Sequence, residues 1–323
     1  MAWLELCVNA TDEAVDWVKT QLSATNCIDE IEVITYAPTE PDHAISQDEG
    51  DRWTFSLRFY LPDNPAINTR LERVSGLLSS LHRTGLTSAL QIKVVEEKPS
   101  RPATKPLIHR IGSQFVILTP DAACPSELSA LIPIRLGQAC SFGSGLHPAT
   151  ILILRLIERY VTPGMSVLDL GSGSGILSVA MAKLGATVLA LDNDRHAVQS
   201  TQDTVVRNQV AQQVTVMEGS LGQGSTMGHW MGLAPLEAVP TVEPAAAFDL
   251  IAANILGRMH ITLAQDYRQA LRQSHTNPGL LLTAGFTTDY EDDLNPAFAT
   301  AGFEAVDREQ MREWTALAYC LKV

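Results

Sequence analysis

The stretch VLDLGSGSGIL, Val167 to Leu177, is an apolar run that breaks into three alternating glycines and resumes as apolar residues at helical spacing. A strand, glycine turn and helix in this order let the main chain approach a ligand closely and aim the free amides of the helix start at it. A phosphate-cradling P-loop would close with Gly-Lys followed by Ser or Thr, whereas Gly175 is followed by Ile176 and Leu177. A dinucleotide fingerprint sets its third glycine after two intervening residues, and here Gly171, Gly173 and Gly175 are evenly spaced. Asp169, two residues before the first glycine, would repel a pyrophosphate but suits a ligand that carries an ammonium group.

S-adenosylmethionine is such a ligand: its methionine end is zwitterionic, its sulfur is cationic and its ribose has two free hydroxyls. Asp192 ends the next strand, TVLALD, about 20 residues after the glycines, where an acidic side chain accepts hydrogen bonds from a ribose. A plain tight turn would account for the glycines alone, and a helix cap for Asp192 alone. The combined order of strand, turn, helix, strand and acid favours a cofactor site that includes Gly171, Gly173 and Asp192. Further on, FDLIAANILG reads as a buried strand ending in Asn254. In open α/β sheets ligands sit beyond the carboxyl ends of the strands, so Asn254 would emerge beside the sulfonium, where its amide oxygen can orient an attacking amine. Capping of the next helix is the competing role for Asn254, and Asp249 in the same stretch reads as structural. In SFGSGLHPAT the glycines suggest a mobile loop that runs into a helix begun by Pro148. Thr150 falls in the first turn of that helix, where hydroxyl and amide donors could meet the cofactor's carboxylate, while His147 reads as a structural hydrogen bonder more than as a base.

Composition limits the alternatives. The chain has 323 residues, 46% of them hydrophobic, enough for a sizeable core and for more than one domain. A formal net charge of -13 argues against stable nucleic-acid binding by phosphate neutralisation and in favour of a basic protein partner. Cys7, Cys27, Cys124, Cys140 and Cys320 are scattered, without the spacing of a metal site or redox pair, and their odd number fits a reducing cytoplasm. No metal is expected. No stretch approaches the roughly 18 apolar residues of a membrane span, and the amino terminus carries no export-signal pattern.

Residues 1–97 read as βαββαβ, the order of a ferredoxin-like α+β domain. Residues 98–137 read as a linker, EKPSRPATKP, followed by a short β-rich segment, and residues 138–323 as strands alternating with helices around a mostly parallel, doubly wound sheet. The aperiodic stretch from Leu221 to Ala247 is long for a βα connection and is expected to be a flexible insertion. Trp53, Phe55 and Phe59 alternate onto one strand face, which fits packing on the helices better than the stacking of RNA bases.

Three stretches, FGSGLHPAT, LDLGSGSGIL and ANIL, together resemble the bacterial PrmA family, methyltransferases that modify protein eleven of the large ribosomal subunit. Ser144 stands where that family has threonine, and Ala149 where it has the first of two threonines. The resemblance implies a ferredoxin-like substrate-recognition domain followed by a Rossmann-like S-adenosylmethionine-dependent methyltransferase domain, with cofactor contacts at Thr150, Gly171, Asp192 and Asn254. It implies transfer of methyl groups to amino groups of a large-subunit ribosomal protein by a cytoplasmic enzyme; a catalytically silent S-adenosylmethionine-binding module, or a methyltransferase acting on a different protein or a small-molecule amine, is the alternative, and a monomer is expected. Methyl transfer is chiefly a matter of alignment, so Asn254 is the catalytic candidate and no strong base is required.

Overall fold

The computed structural model describes residues 3–11, 14–23, 28, 31–36, 53–98, 108–137, 147–222, 240–243, 245–273 and 278–322. The loop 141–146, linker residues 99–107 and most of the 221–247 insertion lie outside these. The described residues divide into two compact units, within Met1–Lys105 and within Pro106–Val323.

In the first unit β1 (Trp3–Ala10), α1 (Ala14–Ser23), β2 (Ile31–Thr35), β3 (Phe55–Pro62), α2 (Ile67–Arg83) and β4 (Gln91–Val95) follow one another. The strands form one antiparallel sheet in the order β2-β3-β1-β4. Along β1, Leu4, Leu6, Val8 and Ala10 are buried and the residues between them are half-buried, the period of two that a one-sided sheet requires. The buried set shares one core with Val18 and Leu22 of α1 and Val74 and Leu78 of α2. Phe59 lies in that core and Phe55 packs against it, so these aromatics serve packing. On the opposite face the Tyr60 hydroxyl donates to Glu5 Oε2 at 2.9 Å, and Arg58 lies 3.9 Å from Glu5 and 3.8 Å from Glu32.

The second unit opens with a three-stranded sheet of β5 (Ile108–Ile111), β6 (Phe115–Leu118) and β7 (Ile132–Arg135). Its main body is α3 (Pro148–Tyr160), β8 (Ser166–Leu170), α4 (Ile176–Lys183), β9 (Thr187–Asp192), α5 (Arg195–Arg207), β10 (Val214–Glu218), β11 (Ser220–Leu221), β12 (Thr241–Val242), β13 (Leu250–Asn254), α6 (Gly257–Ala270), β14 (Leu280–Thr287), α7 (Glu291–Thr300), β15 (Phe303–Met311) and β16 (Trp314–Leu321). Asn208, just after α5, accepts the Arg135 N–H and donates to the Arg135 carbonyl, both at 2.8 Å, tying the small sheet to this body.

Seven strands form the main sheet in the order β10-β9-β8-β13-β14-β16-β15. The first five run parallel, and β16 and β15 close the far side antiparallel. Val167 joins a core with α3, α4 and α5, and the next residue, Leu168, joins another with α6 and α7, so the sheet is covered on both faces. From β8 the chain winds outward through β9 and β10, and β13 then starts the other wing. The strand order reverses between β8 and β13, and the crevice beyond the carboxyl ends of strands at such a switch is where sheets of this kind bind ligands. Asp249 lies just ahead of β13, not within it, at the opposite end of the sheet. Its carboxylate accepts the Ser166 N–H at 2.8 Å and Arg272 Nη1 at 2.8 and 2.9 Å, a structural clamp away from that crevice.

Candidate cofactor-binding and active site

The turn after β8 is left-handed at Gly171 (φ 77°), Gly173 (φ 54°) and Gly175 (φ 80°), which explains the alternation of glycines in the sequence. At Gly171 space forbids a side chain as well, because a Cβ would fall 2.6 Å from Ile255 Cγ2. The turn is fastened to β9 by Gly171 and Ser172, whose N–H groups donate to the Leu191 carbonyl at 2.9 and 3.0 Å. It is fastened to α5 by Thr201, whose hydroxyl donates to the Gly173 carbonyl at 3.1 Å.

Gly173 and Asp192, nineteen residues apart, meet directly: the Gly173 N–H donates to Asp192 Oδ2 at 2.9 Å, and the Asp194 N–H donates to Oδ1 at 3.0 Å. The carboxylate offers about four lone-pair sites, so acceptor capacity remains beyond its main-chain bonds. Burial raises the Asp192 pKa to about 6 against these amide bonds. Asp169 is buried at the end of β8. Its Oδ2 accepts from the Ser178 hydroxyl, and its Oδ1 has no hydrogen-bond partner among the described residues. Burial, with a smaller contribution from the Asp192 charge, raises the Asp169 pKa to about 7. A buried acceptor without a donor is costly unless a ligand supplies one.

Asn254 and Thr150 also come together across 104 residues of chain: Asn254 Nδ2 donates to Thr150 Oγ1 at 3.2 Å. Asn254 Oδ1 is buried without a partner among the described residues, and Thr150 is fully buried. His147 caps α3, its Nδ1 accepting the Ala149 N–H at 3.2 Å, in keeping with a structural role. The His147 ring meets Trp314 edge to face, with centroids 4.5 Å apart and planes at 77°. Trp314 opens β16 and pairs in register with Thr287 at the carboxyl end of β14. Trp314 Nε1 is buried without a partner among the described residues. Sequence reading missed Trp314; its one signal was an aromatic residue opening the closing strand of the sheet.

Gly171, packed against Ile255, joins the turn to the Asn254 strand end. Near the carboxyl ends of β8, β9 and β13, Asp169 and Asn254 each carry a buried acceptor without a partner among the described residues, and the Asp192 carboxylate lies with them, a pattern suited to a ligand rich in donors and positive charge. S-adenosylmethionine, with an ammonium, a sulfonium and two ribose hydroxyls, fits these residues. Among the described residues no group of three His, Cys, Asp or Glu side chains could hold a metal, and no helix is long and apolar enough to cross a membrane.

A family model described as ribosomal protein L11 methyltransferase (PrmA) matches residues 2–321. A protein of Chloroflexus aurantiacus named ribosomal protein L11 methyltransferase is 37% identical over 333 aligned residues, with 98% of each chain covered. Its namesake in Herpetosiphon aurantiacus is 35% identical over 331, covering 99% of each. The crystal structure of a ribosomal protein L11 methylase from Lactobacillus delbrueckii subsp. bulgaricus is similar in fold, with a TM-score of 0.53 over 67% of this chain and 99% of that one, at 24% identity.

Proposed function

Because this chain belongs to the ribosomal protein L11 methyltransferase (PrmA) family, we propose that it methylates amino groups of that ribosomal protein, on lysine side chains, at the amino terminus or both. It is an S-adenosylmethionine-dependent enzyme, and its second unit has the α/β fold of such methyltransferases. The observation that carries the site assignment is Asn254 Oδ1, without a partner among the described residues and held in place by the bond from Asn254 Nδ2 to Thr150.

When bound, S-adenosylmethionine supplies a methyl group activated on a cationic sulfur. Asp192 accepts hydrogen bonds from the ribose, Gly171 and Gly173 let the main chain approach the cofactor, and Asp169 faces its ammonium group. Thr150, in the first turn of α3, offers its hydroxyl proton to the carboxylate while its oxygen holds Asn254. Asn254 Oδ1 would accept an N–H of the amine and so orient its nitrogen lone pair for transfer. The amine has to arrive neutral, and desolvation in the crevice lowers its pKa. Alignment of this kind is worth about 7 to 11 kcal/mol, so the site needs no strong base, and water can take the released proton.

Titration of the two carboxylates gives a prediction. In the free protein Asp169 and Asp192 bind protons below about 7 and about 6. A cationic ligand favours their ionised forms, so binding releases protons in that window and affinity rises with pH until both are ionised. Calorimetry of S-adenosylhomocysteine, which keeps the ammonium and ribose, should show a Kd that falls as pH rises through 6 to 7 and levels off above. Asp169→Asn should flatten the upper part of that slope. An unchanged slope would remove Asp169 from the cofactor site.

The strand order β2-β3-β1-β4, with two helices on one face, supports a ferredoxin-like reading of the first unit. We assign it to substrate recognition, and the chain to a monomer in the cytoplasm; the negative net charge favours a basic protein over RNA. Incubation with radiolabelled S-adenosylmethionine and total ribosomal proteins should label one large-subunit protein. Deletion of Met1–Lys98 should abolish that label while calorimetric cofactor binding persists. Label on RNA would overturn the substrate class, and equal labelling by the truncated chain would overturn the role of the first unit.

A further inference from the structure

His260 is wholly buried in the first turn of α6. Its Nε2 lies 3.0 Å from the Ala284 carbonyl oxygen, which can only accept, so Nε2 carries the ring proton. Nδ1 is then a lone pair, and the Tyr267 hydroxyl, 3.2 Å away, donates to it. Two partners thus fix one tautomer. Burial pushes the His260 pKa down to about 4, which keeps the ring neutral at working pH, and its main-chain hydrogen bonds are with Ala284 and Ile255. Phe286 packs edge-on against the ring, centroids 5.4 Å apart, and limits its rotation.

The groups that His260 touches belong to the backbone that presents Asn254. Ala284 is the register partner of Asn254 across β13 and β14. Its carbonyl also accepts the Ile255 N–H at 3.0 Å. Gly285, left-handed at φ 96°, lies so close that a Cβ there would collide with the Ile255 carbonyl oxygen. The peptide after Asn254 is therefore held by the Ala284 carbonyl, the bare Gly285 Cα and the imidazole. Neither Tyr267 nor His260 reaches the crevice side chains Asp192 or Thr150 through any hydrogen bond described.

We propose that His260 is a positioning residue for methyl transfer: with Tyr267 it fixes the Ala284 and Ile255 main chain, and through that chain it aims Asn254 at the amine. A neutral, tautomer-locked imidazole suits this task because its single N–H is committed to a carbonyl and it brings no charge beside a cationic cofactor. This rests on the assignment of Asn254 to the amine.

Steady-state kinetics on the full chain test it, with S-adenosylmethionine and recombinant L11 as substrates and calorimetry of S-adenosylhomocysteine as a control for a folded site. His260→Leu should lower kcat by about 10- to 100-fold, the scale of a misplacement remote from the chemistry, and leave cofactor Kd unchanged. His260→Gln, which keeps an N–H in reach of Ala284, should recover most of the rate. In an Asn254→Ala background His260→Leu should cost nothing more, because coupled residues are not additive. Should His260→Leu fail to bind the cofactor, Tyr267→Phe decides: it keeps the imidazole and its bond to Ala284 but removes the hydroxyl that steadies Nδ1, so the ring is held less firmly, and it should lower kcat without raising KM. A wild-type kcat in the deciding variant, no rescue by glutamine, or losses that multiply with Asn254→Ala would overturn the proposal. A wild-type rate for Asn254→Ala would instead sink the Asn254 assignment beneath it.

Discussion

Asn254→Ala is expected to lower kcat by about 10²- to 10³-fold with little change in cofactor affinity, the scale found when one preorganised hydrogen-bonding group is removed from an active site. The wild-type Oδ1 is buried at the carboxyl end of β13 without a partner among the described residues, so an amine N–H that reaches it gains a hydrogen bond without displacing one of theirs. Alanine removes the acceptor and also releases the Thr150 hydroxyl from Asn254 Nδ2. Asn254→Asp keeps the oxygen but exchanges the donor for a second acceptor, so it should retain more of the rate than alanine if orientation of the amine is the role. Single-turnover rates at saturating cofactor separate the cases. A wild-type rate for the alanine variant would return Asn254 to a purely structural place.

Asp192→Ala should weaken cofactor binding by roughly two to four orders of magnitude in calorimetry. Hydrogen bonds to a charged group contribute about 1.5 to 3 kcal/mol each, and two ribose hydroxyls meeting one carboxylate bring the sum to that range. The same substitution removes the acceptor for the Gly173 and Asp194 amides. Leaving such donors unpaired costs about 1 to 3 kcal/mol each where they are buried. The variant is therefore expected to melt at a lower temperature than wild type even without ligand. Asp192→Asn separates the two effects, because its amide oxygen can still accept one main-chain N–H while the charge is lost. Unchanged affinity in both variants would remove the ribose assignment.

The glycine turn was legible because its determinants are local: a backbone that must turn left-handed three times in five residues needs glycine at each of those points. Asp192 could be placed for a similar reason, since the strand that carries it follows the turn by a fixed path. Asn254 was singled out through a rule of topology, and its meeting with Thr150 follows from where β13 ends and α3 begins. Trp314 and His260 escaped notice because distant pairings position them. Trp314 owes its place to antiparallel pairing of β16 with β14, and His260 to a carbonyl on a neighbouring strand, neither of which leaves a periodic signal. The two-residue strands β11 and β12 are too short to carry any period at all. Asp249 was assigned the right kind of role but set inside the strand, because the apolar run after Phe248 hides where pairing starts.

Those two short strands bear on how the enzyme can vary. Ser220 and Leu221 lie in register with Thr241 and Val242, so the chain is pinned on both sides of the residues between them, next to but outside the seven-stranded sheet. A connection whose ends are already clasped pays little for added length, about 0.6 kcal/mol for each doubling. This clasp fixes the two ends of the connection, so lengthening the chain between Leu221 and Thr241 is expected to leave the melting temperature of the catalytic unit nearly unchanged.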